Sequence, residues 1–231
     1  MSNKKKGILL IFTLVAVFAL AGCGGKSKNA HYKSYVKSLI AINYLGATDD
    51  YIESAGCNKS DAIALYNSNI GVLTDSILTY YGITIPEGSS LRADYEELAK
   101  NIYSKIDYTV SDAYEADGTT KLDVKIKPIN IFKQTKDEVI AYIDDFNTRV
   151  AHGDFNEYTV DMYNEEFARG IVLILDNACN EMTYADEVTV TVSIIESGNS
   201  FYISDEDFLS IDAAMLSVAT PTASAGDAVS E

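Results

Sequence analysis

The stretch DYTVSDAYEADGTTKLDVKIKPINIF, residues 107–132, decides the fold class. Before it, apolar residues recur at helical spacing. Within it they recur at every second position. Leu122, Val124 and Ile126 alternate with Lys121, Asp123, Lys125 and Lys127. Successive side chains of a strand point to opposite faces, so this run presents one apolar face and one wet face. Asp117-Gly118 is the pair that a two-residue hairpin turn favours. The stretch therefore reads as strand, turn and second strand, the latter running toward Phe132. Pro128, which cannot donate to a ladder, marks an edge or the strand's end.

Upstream the period is 3.6. Tyr32, Tyr35, Val36, Leu39, Ile40 and the run from Ile42 to Leu45 form a broad apolar stripe. A second helix is expected from Ser60, with Ile63, Tyr66, Ile70, Leu73, Ile77 and Tyr80 on one face. Gly82 is its expected C-terminal cap, and Pro86 blocks continuation. Ser90 opens a third helix, with Tyr95, Leu98, Ile102 and Ile106 inward. Tyr80 and Tyr81 are adjacent and cannot both point into a helical core.

Downstream, Thr135 and Glu138 have the spacing of a capping box, and Gly153 ends the next helix. A long helix is expected from Thr159 or Val160 to Met182. Its second half, IVLILDNAC, is apolar on most sides, so it is expected to be central and buried. Alternation returns at Val188, Val190, Val192 and Ile194; ESGNS turns the chain and FYIS pairs back. Ser204 with Asp207 caps a last helix through about Leu216. The small, polar, Pro-bearing segment 218–231 reads as a disordered tail. YEELAKNIYSKI followed by TKLDVKIKP echoes NEEFARGIVLIL followed by DEVTVTVSI. The echo suggests two related halves, 31–133 and 134–217, sharing one core. Common helix-then-strand patterning would produce the same echo.

The N-terminus sets the compartment. Lys4, Lys5 and Lys6 precede an apolar run, Ile8 to Leu20, that is short for a transmembrane helix, which needs about 20 residues. The run ends in LVAVFALAGC, residues 14–23. Leu20-Ala21-Gly22-Cys23 resembles the lipobox of bacterial lipoproteins. The resemblance implies a signal peptide over 1–22, cleavage between Gly22 and Cys23, and a diacylglyceryl thioether on Cys23, with 23–30 as the lipid-anchored tether of a 31–217 ectodomain. Two acyl chains hold a protein on a membrane where one binds reversibly. The expected location is the cell membrane, on its extracytoplasmic face.

The net charge is −16, and the leader carries three lysines and no acid, so its loss makes the chain more negative still. Such a surface repels nucleic acid and favours cationic partners. Two of the three cysteines, Cys57 and Cys179, remain after lipidation. In an oxidising compartment they can pair, or each can pack as a small hydrophobe. Cys179 lies in a helix with Val172, Ile174 and Leu175, and the two are expected unpaired.

VTVTVSIIESGNSFYISDEDFLSI, residues 188–211, resembles the end of domains with a cystatin-like or NTF2-like α+β fold. Residues 107–132 resemble the sheet region of a group of Firmicutes lipoproteins. Many members of that fold carry a Trp where Phe201 or Tyr202 stands, and this chain has no Trp. The resemblance implies helices packed on an antiparallel sheet and supplies no catalytic motif.

AHGDFNE places His152 beside Asp154 and Glu157, types suited to acid–base or metal chemistry. A His at a helix C-terminus also complements the dipole, and that structural role is the expected one. Asp205, Glu206 and Asp207 fill a first helical turn, where acids are favoured for the same reason. Neither they nor EADGTT has the ligand pattern of a calcium loop. Phosphate-loop, nucleophile-elbow and zinc motifs are absent. The expectation is a non-catalytic binding or interaction module without metal or cofactor, partnered by the membrane and by a protein or cell-envelope ligand. Its rivals are a small enzyme using His152 and an acid in an NTF2-like pocket, and the solute-binding lipoprotein of an importer.

Overall fold

The computed structural model describes residues 28–198 and 200–217. The leader, Gly22, Cys23 and the tail 218–231 lie outside them. Helix α1 is Lys28–Ile40, so the last three residues assigned to a tether are helical. A π-helical turn, Ala41–Leu45, comes next and closes at Gly46, whose φ of 66° is left-handed. A Cβ there would also meet the Tyr66 ring at 3.0 Å. The break starts a helix that the sequence pattern did not reveal, α2 (Thr48–Ala55).

Helix α3 (Lys59–Tyr80) is capped by Asn58, whose side chain accepts from the Asp61 amide. It ends as expected at Gly82, φ 64°, and the Ile83 amide reaches back to Leu78 O, a Schellman closure. Its buried line is Ala62, Leu65, Asn69, Ile70, Leu73, Thr74, Ile77 and Leu78. Ile63, expected inward, is 41% exposed, because the line enters at Ala62 instead. Tyr80 and Tyr81 are both half-buried; they meet edge to face and share Phe132.

Helix α4 (Leu91–Tyr103) leads into β1 (Asp107–Val110), β2 (Tyr114–Ala116) and β3 (Thr119–Lys127). Both β1 and β2 pair antiparallel with β3. Val110 opposes Val124 and Tyr114 opposes Lys121, so residues 111–113 face only 122 and 123, and the first strand is bulged. Ser111 repairs the ladder there: its amide donates to Asp123 O, and its hydroxyl accepts from the Asp123 amide, both at 2.9 Å. Asp117 and Gly118, φ 54° and 76°, form the expected tight turn. Strand β4 (Val188–Ser193) pairs antiparallel with the other edge of β3, so β3 is central. Leu122, Val124 and Ile126 are all buried. Each such side chain contributes roughly 1.5–3 kcal/mol.

Residues beyond Pro128 are not strand. Ile131–Gln134 form a short helix, α5. This overturns the capping box. The chain is already helical at Thr135, whose hydroxyl donates back to Ile131 O and caps nothing ahead. Helix α6 (Lys136–His152) ends at Gly153, φ 85°. Helix α7 (Val160–Ala178) runs into a 3-10 turn, Cys179–Glu181, short of Met182. It is amphipathic rather than enclosed. Ala168, Ile171, Val172, Ile174 and Leu175 are buried, but Leu173 is 57% exposed. It packs on α4, where Tyr95 donates to Ala168 O at 2.7 Å, and on α6. At the second contact the Tyr142 ring covers Gly170, and its hydroxyl donates to Glu166 O and Phe167 O.

The β5 (Ile195–Ser197) and β6 (Ser200–Tyr202) strands pair only with each other, so the segment 200–203 does not return to the main sheet. Helix α8 (Asp205–Met215) is capped as expected: Ser204 Oγ accepts from the Asp207 amide. The Asp207 carboxylate accepts from Ser193 N, which pins the helix start to β4. One continuous apolar cluster draws residues from both sides of position 133, and the echoed units lie side by side, α4 on α7 and β3 on β4. Cys57 and Cys179 are unpaired.

Leu175→Ala is expected to lower stability by about 2–5 kcal/mol, as for a fully buried aliphatic, while Leu173→Ala changes it by under about 0.5 kcal/mol. Chemical denaturation compares them directly. Gly170→Ala is expected to destabilise as well, since its Cβ would collide with the Tyr142 ring. A Gly170→Ala melt equal to the parent's would contradict the close approach of α6 and α7.

Candidate functional site

The π-turn interrupts a run, LIAINYLG, that is apolar except for Asn43. Asn43 is 2% exposed. Its Nδ2 donates to Leu39 O, and its backbone carbonyl accepts from Asn69 Nδ2, both at 2.8 Å. Its Oδ1 has no partner. Beside it, Tyr51 of α2 is wholly buried, and its hydroxyl is also without a partner. A buried polar group left unpaired costs about 1–3 kcal/mol. Asn130 Oδ1 is a third such atom, but it belongs to the junction before α5.

Asn43 and Tyr51 line one cleft together with Tyr35, Leu39, Leu65, Ile203, Ser204, Asp205 and Phe208. The cleft is shallow and open to solvent at its mouth. Two features of the fold create it. First, the small cluster of Ile42, Tyr51, Ala62 and Leu65 stands apart from the main core. Second, the seam between them is polar: the Ser38 and Ser54 hydroxyls lie 2.9 Å apart, one donating to the other, and they reach the carbonyls of Tyr35 and Tyr51. Side chains that bond to their own helices do not close an apolar interface. The β6–α8 junction then covers one side. The β5–β6 hairpin that leads into it is fixed to α1 through Glu196, which accepts from Tyr32 and pairs with Lys28, and through the edge-to-face contacts of Phe201 with Tyr32 and Tyr35.

Burial pushes the Tyr35 hydroxyl up to about 12 and raises that of Tyr51 further, so both are neutral phenols at physiological pH. Behind the cleft, Phe208 stacks on Tyr44, and Tyr44 donates to Asp212 Oδ1 at 2.9 Å. Burial raises the Asp212 carboxyl above the ordinary aspartate value, and the Tyr44 hydrogen bond offsets part of that.

The residues singled out from the sequence lie elsewhere. His152 is exposed at the end of α6, and Glu157 is exposed too. Asp154 pairs with Arg149 at 3.8 Å, and that guanidinium sits over the Phe155 ring. His152 and the acids around it line no part of the cleft. Asp205, Glu206 and Asp207 do form the first turn of α8, and Asp205 stands at the cleft. Among the described residues no cluster of His, Cys, Asp and Glu could hold a metal ion. Asn43 carried one local signal, a polar side chain within an otherwise apolar helical run.

No family model matches the chain, and no curated protein matches it. The fold is similar to the crystal structure of a candidate lipoprotein, ycdA, from Bacillus subtilis, with a TM-score of 0.56 and 12% identity. The likeness covers 81% of this chain and 56% of that one, so the chain spans little more than half of that protein's length. At this identity the likeness speaks to the fold, an α+β arrangement of helices on an antiparallel sheet.

Asp212 provides a test of the buried network behind the cleft. A carboxyl whose folded pKa is raised binds its proton more tightly in the folded chain. The stability linked to it is complete below the unfolded pKa and is lost as pH rises through the folded one. Asp212→Asn keeps an acceptor for Tyr44 without the charge. It is expected to melt above the parent at pH 7, with the gap closing as pH falls into the carboxylate range. Thermal melts across that range check the sign, and a gap that widens toward acid refutes it.

Proposed function

We propose that this chain is a lipoprotein held on the extracytoplasmic face of the cell membrane through a lipid on Cys23, and that its α+β domain is a non-catalytic binding module. The anchor rests on Leu20-Ala21-Gly22-Cys23. The likeness to a candidate lipoprotein supports it. Among the described residues no helix is long and apolar enough to cross a membrane. The cystatin-like or NTF2-like kinship belongs to this proposal, supported by a four-stranded antiparallel sheet that is bulged on one edge and packed against helices α1 and α8.

The observation that carries the binding reading is the cleft, whose mixed aromatic, aliphatic and polar lining includes Asn43 and Tyr51, each with a buried polar atom that has no partner. Apolar pockets with a few convergent polar groups are the usual form of small-molecule sites. Its one acidic side chain, Asp205, has no base beside it in the lining. That favours binding over acid–base catalysis, which needs a positioned pair.

Two experiments test the two parts. Cell fractionation is expected to find the parent in membranes and the Cys23→Ala chain either released or retained with its leader uncleaved; a cleaved Cys23→Ala chain that stays on membranes refutes the anchor. A thermal-shift screen of small molecules against the full chain in detergent is expected to yield stabilising compounds whose effect Phe208→Ala abolishes. Hits that are all indifferent to Phe208→Ala would remove the cleft as the binding site.

A further inference from the structure

We propose that the cleft between α1, α2 and the start of α8 takes an organic ammonium ion, a primary amine carried on a small apolar or aromatic body. This inference rests on the binding-module reading and names the ligand class of the same site.

The polarity of the unpaired atoms sets the direction of the hydrogen bond. Asn43 Nδ2 is committed to Leu39 O, so the atom left over, Oδ1, is an acceptor. Its partner must donate. Tyr51, a neutral phenol without a partner, can accept from a ligand donor or give its proton to a ligand atom. An ammonium group carries three donors and no acceptor. Both atoms are buried, and both residues belong to the cleft lining. The π-turn carrying Asn43 is a helical form often found at functional sites.

Charge points the same way. No Lys, Arg or His lines the cleft, and its one charged side chain is the exposed Asp205. No ion pair among the described residues engages Asp205, and Glu206 stands next to it. Tyr35, Tyr51 and Phe208 make the lining aromatic, and aromatic rings attract a cation. A net charge of −16 draws cations toward the surface as a whole. The opposing term is the N-terminus of α8, which favours anions. Ser204 Oγ already takes the Asp207 amide there, and three acids crowd the first turn, so that term is spent within the fold. Leu39, Leu65 and Ile203 leave apolar surface for the body of the ligand.

The test titrates the full chain in detergent micelles at pH 7 with three probes of one shape: phenethylamine, 2-phenylethanol and 3-phenylpropionate. Calorimetry is expected to show phenethylamine binding at least about tenfold more tightly than 3-phenylpropionate, with the alcohol between them. Tyr51→Phe and Asp205→Asn are each expected to weaken phenethylamine by about three- to tenfold. Without ligand, Tyr51→Phe is expected to melt at or above the parent, since it removes a hydroxyl that has no partner. A purely structural Tyr51 would instead lower the melt and leave affinity unchanged. The inference is overturned if 3-phenylpropionate binds as tightly as the amine, if none of the three binds, or if both variants bind phenethylamine like the parent. Tight binding of 3-phenylpropionate that Phe208→Ala abolishes would sink the ammonium assignment while leaving the binding-module reading in place.

Discussion

Strand β3 is bonded along both edges, and its alternating Leu122, Val124 and Ile126 leave one face that must be covered. The rest of the domain is arranged to meet those two demands. One edge takes the bulged pair β1 and β2, the other takes β4, and α8 is pinned across the end of β4 by the bond from Ser193 N to Asp207. Just past the strand, three backbone segments are sewn together. Ile129 donates to Met215 O and accepts from Ser217, Asn130 donates to Thr183 O, and Pro128 O accepts from Ala185. Segments far apart in sequence thereby close around β3, and a shift of its register by one residue would turn every one of its aliphatics to water.

The cleft is a consequence of the same architecture at its periphery. Helix α1 serves the main core through Tyr32, Tyr35, Val36 and Ile40, and then its path breaks in the π-turn. Beyond the break, α2 and the start of α3 build a small cluster of their own. Ser38, Ser54, Asn43 and Asn69 lie between the two and satisfy most of their hydrogen bonds locally. Asn43 Oδ1 is left over, and so is the hydroxyl of Tyr51. In a well-packed protein buried polar atoms without partners are few, and each calls for a reason. Here both belong to residues that line one cleft, which is why they bear on binding as well as on folding.

Electrostatics contributes differently on the two sides of the molecule. The wet face of the sheet carries Lys121–Asp117, Lys127–Asp107 and Lys125–Glu187 pairs, together with Asp123, which accepts from Tyr114 and Thr191. Exposed pairs of this kind are worth about 0–1 kcal/mol each, so they orient side chains more than they hold the fold. The half-buried Asp212 beneath Tyr44 is the costlier group. Its neighbours Tyr44 and Phe208 link it to the cleft wall, so a change of charge there is felt where a ligand would sit.

Much of the fold was legible locally. The period-two run of β3, the Asp117-Gly118 turn, the ends at Gly82 and Gly153 and the Ser204 cap each depend on one residue's conformational preference or on nearest-neighbour spacing, and each stands as the sequence reads. Where local reading failed, something distant or preceding decided. Thr135 has a capping residue's chemistry, but α5 had already made the chain helical before it. Leu173 sits in an apolar run, yet α4 and α6 cover only part of the circumference of α7. His152 and its acids are adjacent in sequence but converge on nothing, because Asp154 is held by Arg149. The sequence by itself determined the class of the domain, through periodicity, and the compartment to be tested, through the residues around Cys23. Only the tertiary structure decided the cleft. Its walls come from residues 35–65 and 203–208, and no local pattern can show that an Asn and a Tyr will lack partners once those segments meet.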